Sequence, residues 1–113
     1  MTTSQLSTRI EFLKSFLEKD PNDSFSRYAL ALDYLNSGDI SLAVEEFERL
    51  LKIDPNYSAT YYHFGKVLER LGKTSEAKEL YQKGIELTTK KGEAHALKEL
   101  KEALFTLTLS EED

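Results

Sequence analysis

Few residues in this chain are of types that could do chemistry. His63 and His95 are its only two histidines. Neither has a second ligand at the three- or four-residue spacing of a helical metal pair, apart from the carboxylates that occur everywhere in the sequence. No Gly-rich phosphate loop, Ser-His-Asp arrangement or Gly-x-Ser-x-Gly elbow is present. Glu45, Glu76 and Glu79 are scattered as on a solvated helix surface and are not paired as general acid and base. With no cysteine, disulfides, zinc thiolates, iron–sulfur ligation and thiol nucleophiles are excluded. The expectation is a chain that is not an enzyme and carries no metal or cofactor. What remains is Lys66, Arg70 and Lys73, a basic patch at helical spacing beside aromatic residues. It suits a mixed apolar and acidic peptide, or is no more than a solvated charged face.

Whatever positions these residues must be helical. The chain has 113 residues, 40% apolar and 31% charged, enough for one compact domain or a short repeat stack and far from the composition of disorder. Leu, Ala, Tyr and Phe supply the uncharged bulk, whereas Gly, Pro and strand-favouring Val and Ile are scarce. The opening residues Met1–Thr8 are polar, and no stretch approaches the roughly 18 apolar residues of a membrane span. A soluble, cytoplasmic protein without a membrane role is expected. The net charge of −5 argues against nucleic acid, whose phosphates call for clustered Lys and Arg.

Shifted against itself by 34 residues, the chain places Asp20-Pro21-Asn22 on Asp54-Pro55-Asn56, Tyr28 on Tyr62, Gly38 on Gly72 and Ala43 on Ala77. Size class is preserved where identity is not: Leu30 meets Phe64, Ala31 meets Gly65 and Phe47 meets Tyr81. Such a period marks a solenoid, whose units bury their apolar faces only against neighbours. Gly38 and Gly72 divide each unit into two helices, with Asp39 or Ser41, and Thr74 or Ser75, as side-chain caps for the second. Over 40–51, Ile40, Ala43, Val44, Phe47, Leu50 and Leu51 recur at three and four residues, the stripe of an amphipathic helix. Pro21 and Pro55 end each pair.

These residues resemble the tetratricopeptide repeat: a 34-residue period, Leu30-Ala31 or Phe64-Gly65 in the first helix, Ala43 and Phe47 or Ala77 and Tyr81 in the second, and Asp-Pro-Asn closing. The resemblance covers 24–57 and 58–91 as two repeats and reaches back to 4–19, an orphan second helix in which Leu13, Phe16 and Leu17 precede Pro21 as Phe47, Leu50 and Leu51 precede Pro55. It departs at Arg27, where the second repeat has the aromatic Tyr61, and at Thr89, which replaces the closing proline. It implies an all-α, right-handed superhelix of about six antiparallel helices in a single domain: 4–19, 24–37, 40–53, 58–71, 74–88 and 92–107, the last a cap slipped in register, with 108–113 a tail.

The resemblance further implies a concave groove lined by the first helices, hence by Phe25, Tyr28, Leu32, Leu35, Tyr62, His63, Lys66, Glu69 and Arg70, and a protein or peptide partner held there. The residues agree in one respect. Apolar side chains at 25, 28 to 32, 34 and 35 are more than one buried stripe needs, so either a partner or helix 4–19 must cover the surplus. The carboxylate clamp of many family members is missing, because its positions hold Tyr28, Leu32, His63, Glu93 and Leu97. A rival expectation is a homodimer burying Phe25–Leu35, or Phe105, Leu107 and Leu109.

Overall fold

A computed structural model describes residues 1–111. Its elements are six α-helices: α1 (Thr3–Lys19), α2 (Ser24–Ser37), α3 (Ile40–Ile53), α4 (Ala59–Arg70), α5 (Thr74–Lys91) and α6 (Ala94–Glu111). The fold is an all-α helical repeat, and among the described residues no helix is long and apolar enough to cross a membrane. Contacts gather into two units, Met1–Tyr57 and the residues from Ser58 onward. The first holds α1 to α3, with α2 packed on both neighbours; the second holds α4 to α6, with α5 packed on both and α6 also touching α4.

Local chemistry explains most helix ends. At α1, Thr2 and Gln5 form a reciprocal capping pair: the Thr2 hydroxyl accepts from the Gln5 N–H at 3.1 Å, and the Gln5 side chain accepts from the Thr2 N–H at 2.8 Å. Asp23 caps α2 by accepting from the Ser26 N–H. Gly38 and Gly72 adopt φ of 86° and 75°, the left-handed turn that separates the helices of a pair. The side-chain caps expected for α3 and α5 do not form. Asp39 instead accepts the Ser37 hydroxyl at 3.0 Å, and Lys73, which cannot accept, precedes α5.

The second helix of the second repeat is longer than the 74–88 expected. Thr89 stands where Pro55 stops α3, and with no proline ring to clash the helix runs on to Lys91 and ends at Gly92, φ 70°. Thr88 and Thr89 donate their hydroxyls to the carbonyls of Gly84 and Ile85, at 2.8 and 2.7 Å. This extra turn accounts for the register slip of α6. Likewise α6 continues past 107, with Thr108 and Ser110 donating to the carbonyls of Leu104 and Leu107 and Glu111 paired with Lys78. Of the expected tail, residues 108–111 belong to α6, and 112–113 lie outside the described residues.

In the first unit the core is Leu17, Leu30, Ala31, Ala43, Phe47 and Leu50; in the second it is Tyr61, Phe64, Val67, Leu68, Ala77, Leu80, Tyr81, Leu100, Ala103 and Leu107. Gly65 is where Tyr81 packs: a Cβ there would fall onto the tyrosine ring, so the second helix approaches the first only because position 65 has no side chain. Ser24 donates to Asp54 in the first unit, tying the start of α2 to the end of α3, and Ser58 donates to Glu93 in the second, tying the start of α4 to the turn before α6.

Candidate interaction surface

Phe25, Tyr28, Leu32 and Leu35 are spaced three, four and three residues apart, so α2 presents them as one stripe. Phe25 is 67% exposed, while Tyr28, Leu32 and Leu35 are half-buried. The Tyr28 ring lies 5.5 Å from that of Tyr57. The apolar surplus of α2 is thus covered only in part: Leu30 and Ala31 are buried and α1, whose Leu17 is buried, packs on α2, but Phe25 stays in solvent.

The second unit carries the other candidates on α4. Tyr62 and Lys66 face α6 across a cleft of about 250 Å³ completed by Glu99, Glu102, Ala103 and Thr106. The Lys66 ammonium lies 5.7 Å from the centre of the Tyr62 ring and 3.7 Å from the Glu69 carboxylate. Glu69 in turn accepts the phenol proton of the buried Tyr81, whose pKa is driven well above the usual tyrosine value by burial and by that hydrogen bond. His63 meets Tyr62 edge-on with ring centres 5.3 Å apart. Burial lowers its pKa below 6.5, against a weaker opposite pull from Glu99.

The expected basic patch is therefore divided. Lys66 lines the cleft but is engaged by Glu69 and Tyr62, whereas Arg70 and Lys73 are exposed and do not line it. Glu99, Glu102, Ala103 and Thr106 were not among the residues singled out from the sequence, because strict 34-residue alignment sets Glu99 under Gly65 and the lengthened α5 shifts it. At the positions of the missing clamp, Glu93 accepts from Ser58 and pairs with Lys91 at 3.6 Å, and Leu97 is half-buried.

Two buried polar pairings of the first unit were not expected from the sequence. Arg27 is buried, with one nitrogen on the Glu46 carboxylate at 3.1 and 3.2 Å and another on the Pro21 carbonyl at 2.8 Å; Arg49 joins Glu46 from the surface at 3.0 Å. The signal was legible in hindsight, since Arg27 and Glu46 stand where the second repeat has Tyr61 and Leu80. Each buried charge is answered by the other. Asp33, 1% exposed, is gripped by a forked Arg9 at 2.8 and 2.9 Å.

This arrangement of paired helices has relatives. The tetratricopeptide repeat family model matches residues 34–101. The chain belongs to the tetratricopeptide repeat family. It is 31% identical over 91 residues to the TPR repeat-containing protein PA0015 of Pseudomonas aeruginosa, covering 80% of this chain and 87% of that one. Among solved structures, a tetratricopeptide repeat domain protein from Salinibacter ruber is 43% identical with a TM-score of 0.74, covering 78% of this chain and 89% of the other. A complex of the Yersinia enterocolitica type III secretion chaperone SycD with a peptide of the translocator YopD has a TM-score of 0.85 at 18% identity, over 96% and 84% of the chains, a likeness of fold alone.

Proposed function

We propose that this tetratricopeptide repeat chain is a non-catalytic, cytoplasmic adaptor that holds a peptide or helix of a protein partner on the faces of its first helices. On α2 the contacts are Phe25, Tyr28, Leu32 and Leu35; on α4 they are Tyr62, His63, Lys66, Glu69 and Arg70. One domain with repeats over 24–57 and 58–91, flanked by α1 and α6, is part of this reading. The observation that carries it is the α4/α6 cleft, where a half-buried aromatic, Tyr62, and polar groups of both signs line a hollow. Exposed Phe25 adds an apolar anchor on α2. The SycD neighbour, which holds a translocator peptide, supports the reading by analogy of fold.

Affinity capture from host lysate tests it, comparing wild type with a Tyr62→Ala, Lys66→Glu, Arg70→Glu variant whose helicity is first checked by circular dichroism. Specific partners are expected to fall at least several-fold in recovery. Equal recovery of every captured protein would show that this face is not the binding surface. A second reading, self-association, is favoured by the exposure of Phe25 and Phe105, at 67% and 64%. Of the C-terminal residues expected to serve it, Leu107 is buried within the second unit and is not available. A strict monomer in light scattering at high concentration removes this reading.

A further inference from the structure

The charge of the α4/α6 cleft narrows the partner, on the assumption that the cleft is the binding face. From the sequence, Lys66 and Arg70 suit an acidic peptide. The structure reverses that balance. Only Lys66 of the two lines the cleft, and its charge is already answered by Glu69 at 3.7 Å while its ammonium sits against the Tyr62 ring. From the opposite wall α6 contributes two carboxylates, Glu99 and Glu102. Glu99 faces two histidines, His95 at 3.5 Å and the nearby His63, side chains charged only when protonated, and among the described residues no ion pair holds Glu102. Among the described residues neither carboxylate is paired with a lysine or arginine. Ala103 and Thr106 on the same wall are short, and leave room for a long side chain from outside.

We propose that the cleft takes a partner segment bearing a Lys or Arg side chain, its aliphatic stem along Tyr62 and Ala103 and its cationic head between Glu99 and Glu102. An acidic segment is held less tightly, because a carboxylate there meets two others and the lysine lining the cleft is engaged.

The test uses the full chain and two fluorescein-labelled nine-residue peptides of one alanine and leucine framework, differing only in having two arginines or two glutamates at the same positions. Fluorescence anisotropy is expected to show tighter binding of the arginine peptide, weakening as salt is raised. A Glu99→Gln, Glu102→Gln variant should lose about fivefold in affinity for it, the combined effect of two exposed ion pairs. Tyr62→Ala should weaken both peptides. Tighter binding of the glutamate peptide, or equal binding of the two, overturns this inference and leaves the α4 face as a binding surface. Binding of neither peptide, or binding that Tyr62→Ala leaves unchanged, overturns the cleft as a binding face and this inference with it.

Discussion

Arg27 and Glu46 show how much a single pair of positions can hold. Buried between α2 and α3, they replace the Tyr61 and Leu80 of the second repeat with an ion pair of 3.1 Å. Removing Glu46 strands the buried Arg27, so Glu46→Ala is expected to cost about 3–5 kcal/mol in urea unfolding, and Arg27→Ala less, because Arg49 still pairs with Glu46 at 3.0 Å. The double change Arg27→Tyr, Glu46→Leu, which transplants the apolar pair of the second repeat, should recover that loss; a double variant less stable than both singles would contradict this. Gly65→Ala gives the opposite surprise. Alanine normally favours a helix over glycine by about 1 kcal/mol, but here its methyl meets the Tyr81 ring, and a net loss of roughly 1–3 kcal/mol is expected in the same measurement. His63 makes stability depend on pH. Its folded pKa lies below the unfolded 6.5, so the unfolded chain binds more protons between the two values, and stability present above about 6.5 falls as the pH drops through it. Wild type should therefore lose more stability than His63→Gln between pH 7.5 and 5.5, and equal losses would refute the assignment.

Among the elements, α1 is the one whose attachment can be tested most directly. It packs chiefly on α2, with Leu17 buried, Leu13 half-buried and Arg9 forked onto the buried Asp33. Its other face carries Phe12 and Phe16, 59% and 46% exposed with rings 5.2 Å apart edge to face. By the 34-residue offset these occupy the positions of Glu46 and Leu50, which in α3 lie buried. Deleting the fork with Arg9→Ala leaves a carboxylate in the interior, and should cost about 2 kcal/mol while raising amide exchange throughout α1. Exchange in α1 unchanged from wild type would show that apolar contacts suffice to hold it. The helices themselves were legible because glycines and prolines act locally; α2 and α3 fall on the expected bounds. The end of α5 was missed because Thr89 permits what Pro55 forbids, and a missing stop does not by itself fix where the helix ends instead.

Over the whole molecule the two units are built by one repeat pattern with different interiors. The first buries Asp33, Arg27 and Glu46 among its apolar residues; the second fills the matching positions with Val67, Tyr61 and Leu80. Buried ion pairs offset most of their attraction by desolvation, whereas the apolar residues in their place gain from burial outright. Native-state hydrogen exchange is therefore expected to show larger opening free energies for α4 and α5 than for α2 and α3, with the reverse order contradicting this account.

Half of the candidate site was legible. The stripe on α2 and the residues of α4 follow from helical period and the tetratricopeptide resemblance, but the facing wall of α6 does not, since a small change in where one helix ends moves every later side chain around its axis. The sequence by itself determined the helical repeat, because a recurring pattern of small, aromatic and turn-forming residues permits few other ways to bury apolar surface. Only the tertiary structure decided which charges meet: that Arg27 finds Glu46, that Arg9 finds Asp33, and that Glu99 and Glu102 confront Tyr62 and Lys66. Such encounters depend on distances between helices remote in the chain, and charge falls off too steeply in water for composition alone to say which pairs will form.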